Sequence, residues 1–201
     1  MNKIISAILL MVVSCGMNCA AEEKESAALP KIGDKAPQFS LTNYDGKQVN
    51  LSDYKGKIVV LEWFNYECPF VKYHYEKATM ANLAAKYKAQ DVVWLAINST
   101  SHLKPEENNA WAEKYKLGYP ILDDRPGTVG RAYGALTTPH IYIIDKEGKI
   151  VYNGAIDDSP MGRKKEDAVN YVDKALSELL AGKAVSTPQT EPYGCTVKYA
   201  D

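Results

Sequence analysis

Little in this chain of 201 residues favours recognition driven by charge. Lys and Arg number 24 against 25 Asp and Glu, for a formal net charge of -1. No basic stripe interrupts that balance, which excludes the electrostatic footprint of a nucleic-acid binder. Histidine is scarce. His74, His102 and His140 are scattered and lack the i, i+4 pairing of a helical metal site. Internal repeats are absent, which excludes a solenoid. The one long apolar run, Ile4 to Val13, is too short for a comfortable membrane span. Cysteine is rare as well: four in all, and the place three residues after Cys68 holds Val71. That excludes a local Cys-x-x-Cys dithiol. What remains, 46% hydrophobic and 24% charged residues, suits one globular domain with a well-developed core.

The first 25 residues, MNKIISAILLMVVSCGMNCAAEEKE, are of a different kind. One basic residue, an apolar run and then small residues make the layout of a secretory signal. Two processing routes fit. Cleavage after Ala21 removes Cys15 and Cys19 together. Alternatively, VVSCG resembles a bacterial lipobox, which would leave Cys15 as a lipid-bearing first residue and tie the protein to a membrane. Both routes export the domain to the periplasm or cell envelope, where disulfides persist. Residues 1–21 are thus expected to be a signal, 22–30 a linker, 31–185 the folded domain and 186–201 a tail. Four cysteines become two in the domain, Cys68 and Cys195.

The domain reads as α/β. A turn at Asp45-Gly46 predicts an early hairpin. IVVLEWF, from Ile58 to Phe64, is a continuous apolar run of the kind found in a strand covered on both faces. Helical spacing follows from Pro69 to about Lys88. DVVWLAIN is a second buried strand. KPEENNAWAEKYKLG predicts a helix opened by proline and closed before Gly118. YPILDD predicts a short strand, GTVGRAYGA a short helix, and HIYIIDKEGKIVYNGAI a hairpin turning at Glu147-Gly148. KKEDAVNYVDKALSELLAGK places Ala168, Tyr171, Val172, Ala175, Leu176, Leu179 and Leu180 on one helical face. This order implies a central mixed sheet flanked by helices.

The chemistry centres on Cys68, where a central strand ends and a helix begins. Pro69 suits the first helical position. A thiol there faces unpaired backbone N–H groups and the positive end of the helix dipole, and both favour the thiolate. Lys72, one turn on, either adds a cation or equally points to solvent, while Glu67 opposes the effect. A buried, inert cysteine is the bland alternative. Strand C-termini in open α/β sheets collect active sites, which favours the functional reading. Thr138-Pro139 stands immediately before a strand; it is either a trans proline marking the strand start or a candidate cis bond. Asp157-Asp158 reads as a solvated turn, and Trp63 as core.

Cys68-Pro69 after a buried strand, Thr138-Pro139 before the hairpin, and the element order together resemble the thioredoxin-like fold. NYECPFVK, VVWLAINST, GRAYGALTTPH, NGAIDD and PYGCTVKY narrow the resemblance to the redoxin or peroxiredoxin-like group, the alkyl hydroperoxide reductase and thiol-specific antioxidant superfamily. It covers roughly Ile32 to Tyr199. It implies that Cys68 is the attacking cysteine and that Thr138 and Pro139 wall the substrate site. The chain departs from the family in three places. Val71 replaces a resolving cysteine. Leu61 and Asn65 stand where a typical peroxiredoxin has proline and threonine, although Asn65 keeps a hydrogen-bonding group. The arginine that pairs with the thiolate has no counterpart in TPH, leaving Arg125 or Arg131 as substitutes.

The missing partner is expected in the tail. Cys195, bounded by Gly194 and Pro192, can fold back on Cys68 and resolve its sulfenic acid as a disulfide. The same bond read as a permanent staple would be worth about 4–5 kcal/mol. The resulting expectation is an exported thiol oxidoreductase or antioxidant acting on a peroxide or a disulfide. His140 would orient the thiolate or take a proton, or else simply cap the strand; sulfur would carry the electrons without an organic cofactor, and a thiol reductant would complete turnover. The competing expectation is a non-enzymatic envelope module with a structural disulfide. In that reading Cys68, Cys195 and His140 gather around a soft ion such as Cu(I), or the fold binds a protein.

Overall fold

The computed structural model describes residues 28–164 and 167–200. The expected signal, with Cys15 and Cys19, lies outside the described residues, as does most of the expected linker.

The early hairpin is β1 (Ser40–Asn43) and β2 (Gln48–Asn50), and it leads through a single 3-10 turn into β3 (Ile58–Trp63). After β3 come α1 (Pro69–Glu76), α2 (Thr79–Lys88), β4 (Val92–Asn98), α3 (Pro105–Lys114), β5 (Ile121–Asp123) and α4 (Thr128–Tyr133). A two-residue strand, β6 (Thr137–Thr138), precedes the hairpin of β7 (His140–Ile144) and β8 (Ile150–Gly154). α5 (Tyr171–Leu180) and a second two-residue strand, β9 (Cys195–Thr196), follow.

Seven strands form one sheet in the order β2-β1-β5-β4-β3-β7-β8. β3, β4 and β5 run parallel, and β7 is antiparallel to β3. The unbroken apolar character of β3 follows from this position. Val60 and Phe64 pack beneath α1, α2, α3 and α5, and Val59, Leu61 and Trp63 pack on the opposite face against the N-terminal hairpin and α4. With both faces covered, no alternation is required. The exception is Glu62, fully buried in mid-strand.

Two helical expectations need correction. Residues 69–88 form two helices, broken where Ala78 takes a left-handed conformation at φ 54°. The reason lies in the spacing of the buried residues. At about 100° per residue, Val71, His74 and Tyr75 fall on roughly the opposite side of a straight helix from Met80, Leu83 and Tyr87. All six are buried, so the chain must turn between the two sets. The last helix begins only at Tyr171, because the Asn170 side chain accepts from the Asp173 N–H and caps it there, 2.8 Å away. Ala168 therefore lies before the helix.

Candidate active site

β3 ends against the first turn of α1 and sets Cys68 at the helix N-cap, with Pro69 at the first helical position. The turn that carries the thiol is tied off locally. The Cys68 N–H donates to the Asn65 carbonyl at 3.1 Å, and the Asn65 side-chain oxygen accepts from the Glu67 N–H at 2.7 Å. With that oxygen engaged, what Asn65 can offer a ligand is its amide N–H. Cys68 is 2% exposed, and its thiol donates to the Thr138 carbonyl at 3.0 Å. The Thr138-Pro139 peptide bond is cis.

The tail brings the second cysteine to this point. After α5 it runs along the edge of β8, where the Asn153 N–H donates to the Pro188 carbonyl and the Thr190 N–H to the Asn153 carbonyl. Thr190 is fixed again by the Ala155 N–H at 2.9 Å. Tyr193 is clamped: its hydroxyl donates to Asp157 at 2.6 Å and meets His74 Nε2 at 2.8 Å. β9 then pairs antiparallel with β6, setting Thr138 opposite Cys195. Beyond it, Tyr199 lies over α4 and donates to the Ala135 carbonyl, and the Arg131 guanidinium stacks on its ring. Held from both sides, Cys195 is set beside Cys68, and the two thiols act on each other's acidity.

The two thiols differ in acidity. Burial works against a Cys68 thiolate. Hydrogen bonds from the Cys195 thiol, the Val71 N–H, the Thr138 side chain and the Cys195 N–H outweigh it and lower the thiol below its ordinary value. The Val71 donor is a first-turn helix amide, as the N-cap position requires. The Thr138 carbonyl, by contrast, favours the protonated form. Cys195 is pushed up to about 11 by burial and by its neighbour, with Lys198 pulling the other way. The pair therefore carries its first negative charge on Cys68 and keeps the proton on Cys195.

Both cysteines border an open pocket of about 430 Å³, with Asn65, Glu67, His102 and Lys198 around it. His102 and Glu67 face each other at 3.0 Å.

Several residues singled out from the sequence stand elsewhere. Lys72 is exposed and does not border the pocket; its backbone N–H closes the first turn onto the Cys68 carbonyl at 2.9 Å. His140 is 2% exposed and committed on both nitrogens. The Leu136 N–H donates to its Nδ1 at 3.2 Å and its Nε2 meets Asn153 at 2.6 Å, while burial lowers the ring to about 4. It braces β6 against β8 as a neutral ring and does not touch the thiols. A gathering of Cys68, Cys195 and His140 around copper is thus not present, and no cluster of three potential metal ligands occurs among the described residues. Arg125 pairs with Asp123 at 2.9 Å, and Arg131 serves Tyr199 and the Ala200 carbonyl. Neither supplies the arginine that the peroxiredoxin pattern lacks. Asp157 and Asp158 are no loose turn: Asp157 holds Tyr193, and Asp158 accepts from the Val169 N–H and Lys164.

The sequence reading missed Glu67, His102 and Lys198 as pocket residues, and His74 and Asp157 as the clamp on the tail. A motif could not have shown them, because Tyr193 meets His74 across 119 residues of chain.

Gly194 tests how closely the tail is held. Its φ is +136°, and a Cβ there would lie 2.0 Å from the Thr138 carbonyl oxygen. Gly194→Ala is expected to cost about 2 kcal/mol or more, from a conformation reserved for glycine and from collision with backbone. It should also push β9 off β6 and slow disulfide formation between the cysteines. Urea unfolding and timed alkylation of the two thiols measure both effects.

Comparisons with known proteins place this geometry. The sequence model of the AhpC/TSA family matches residues 32–153. The thiol-disulfide oxidoreductase ResA of Bacillus thuringiensis is 29% identical over 159 residues, covering 75% of this chain and 86% of the relative. Among solved structures, an uncharacterized conserved protein from Geobacillus kaustophilus superposes with a TM-score of 0.77 at 34% identity, covering 85% of this chain and 93% of the other. A hypothetical protein from Sinorhizobium meliloti superposes at 0.78 with 29% identity, covering 86% and 97%.

Proposed function

The chain belongs to the AhpC/TSA family, is a thiol oxidoreductase and has the thioredoxin-like fold, and from that premise we propose that it is an exported enzyme using Cys68 and Cys195 as a redox pair. The observation that carries the reading is the antiparallel pairing of β9 with β6, which holds the Cys195 thiol against a Cys68 thiol of lowered pKa.

Cys68 attacks as the thiolate. With a peroxide, the sulfur takes one oxygen, the O–O bond breaks, and the departing oxygen leaves as water or an alcohol after protonation. The Cys195 sulfur then attacks the sulfenic acid, water leaves, and a Cys68–Cys195 disulfide forms. With a disulfide substrate, Cys68 forms a mixed disulfide, and Cys195 expels the substrate as its second thiol. Either route ends in the same intramolecular bond, and two thiol equivalents from a reductant restore the pair. Thr138 and Pro139 wall the site, and the Asn65 amide offers the donor that a peroxide oxygen needs. The relationship to a thiol-disulfide oxidoreductase supports disulfide chemistry. Export rests on the leader sequence, through either cleavage after Ala21 or lipid attachment at Cys15.

The deciding experiment is a timed map of the thiols. Reduced protein receives one equivalent of hydrogen peroxide, or separately of a small disulfide, and is quenched with an alkylating agent. The expected product is a rapid Cys68–Cys195 disulfide. Two alkylatable thiols persisting under both oxidants would overturn the redox pair.

A further inference from the structure

The edge strand β6 would ordinarily accept an extended peptide by strand addition. In this protein the edge is already filled. Thr137 pairs with Thr196, Thr138 pairs with Cys195, and the Val197 N–H donates to the Leu136 carbonyl at 3.0 Å. Gly194 lies so close beneath the Thr138 carbonyl that not even a methyl group fits between them. A protein partner presenting a cysteine on an extended strand would have to strip off a segment anchored at Thr190, Tyr193 and Tyr199.

What stays open is the pocket beside the thiols, and its size and charge describe what it can take. A peroxide needs little more room than a water molecule, whose share of liquid volume is about 30 Å³. The pocket is about 430 Å³, an order of magnitude larger and in the range of small-molecule sites. Its rim carries both signs. The Lys198 ammonium is near enough to Cys195 to act on its thiol, and Glu67, paired with His102, supplies a carboxylate to the same pocket. Carboxylate and ammonium groups on one small ligand would match that rim.

We propose that the reductant of the oxidised enzyme is a low-molecular-weight thiol carrying both a carboxylate and an ammonium group, bound in this pocket between Lys198 and Glu67. The inference rests on the reading of Cys68 and Cys195 as a redox pair. The chemistry balances with two such thiols. The thiolate of the first attacks the Cys195 sulfur, the Cys68–Cys195 bond breaks, and Cys68 leaves as thiolate. A second attacks the ligand sulfur of the mixed disulfide, releasing the small-molecule disulfide and the Cys195 thiolate, which takes a proton. Access and leaving-group chemistry agree on the first step. Cys195 is the less buried of the two sulfurs, and Cys68, the more acidic thiol, is the better leaving group.

The test uses the chain oxidised to its Cys68–Cys195 form and follows recovery of free thiols with three probes: glutathione, uncharged 2-mercaptoethanol, and thioredoxin kept reduced by its reductase. At equal thiolate concentration glutathione is expected to react at least tenfold faster than 2-mercaptoethanol. Lys198→Ala and Glu67→Gln should each bring that ratio towards one. Equal rates for the two small thiols would overturn the proposal, as would faster reduction by thioredoxin than by glutathione. In both cases the redox pair itself would stand. If the oxidised chain contained no Cys68–Cys195 bond, the redox-pair reading would fall and take this proposal with it.

Discussion

Serine in place of Cys195 will turn a reversible oxidation of Cys68 into an irreversible one. In the wild type, a sulfenic acid on Cys68 forms within reach of the Cys195 sulfur, which the Tyr193 clamp and the β6–β9 pairing hold in place. Capture is then intramolecular and needs no search. Cys68 and Cys195 are the free cysteines of the described residues, and in the variant no other sulfur there can replace the lost one. The sulfenic acid will persist, and a second peroxide will carry it to the sulfinic acid. Intact mass after stepwise addition of hydrogen peroxide separates the two courses. The wild type should lose two hydrogens and stop. Cys195→Ser should gain one oxygen and then a second, and its turnover with a thiol reductant should fall by roughly tenfold or more. Identical product ladders for the two proteins would show that Cys195 takes no part. Serine preserves the shape of the site, so a loss of packing does not mimic the result.

The parts of the site that could be read from the sequence are those written in consecutive residues. Cys68-Pro69 after an apolar run gives a strand end, an N-cap and a first helical turn, and all three are found. Thr138-Pro139 before a strand fitted a cis or a trans bond, and the bond is cis. Cys195 could be chosen as the partner because the other two cysteines, Cys15 and Cys19, fall in the segment read as a leader. The pocket rim could not be read, because it is assembled from the β3–α1 turn, the loop after β4 and the tail. His140 misled for the opposite reason. It is adjacent to Pro139 in sequence, but β7 turns its ring towards Asn153 and away from the thiols. The helix break at Ala78 was legible in principle, since the apolar face changes sides between Tyr75 and Met80; no glycine or proline marks it. Glu62 was hidden within IVVLEWF, where a single carboxylate in an otherwise apolar run goes unnoticed and proves to be fully buried on an interior strand.

Glu62 sets the second large effect, on stability against pH. Its carboxyl is fully buried beneath α1, where Oε1 accepts from the Tyr75 hydroxyl at 3.0 Å and Oε2 from the Trp94 indole at 2.8 Å. Tyr119 donates in turn to Tyr75 at 3.3 Å. No cation faces it in this set. Burial raises the carboxyl from 4.5 to about 7, and the two hydrogen bonds only partly offset that. The folded state therefore binds the proton more tightly than the unfolded state. The associated stability is complete below about pH 4.5 and is lost as pH rises through about 7, amounting to about 3 kcal/mol across that window. The wild-type curve alone will not display it, because His140, lowered to about 4, contributes with the opposite sign. A neutral buried histidine costs stability as pH falls from its ordinary value towards 4, and His74, lowered by burial, adds to this. The two trends cancel in part between pH 4.5 and 6.5. Glu62→Gln isolates the carboxyl. Its amide oxygen can still accept from Trp94, and its amide N–H can donate to the Tyr75 oxygen. The difference in urea unfolding free energy between Glu62→Gln and wild type should shift in favour of glutamine by about 3 kcal/mol between pH 4.5 and pH 8. A difference independent of pH would mean that Glu62 does not change its ionisation between the folded and unfolded states in that window. The carboxyl would then ionise near its ordinary value in the folded protein as well, and a buried charge would sit beneath the thiolate helix at the pH where the enzyme works.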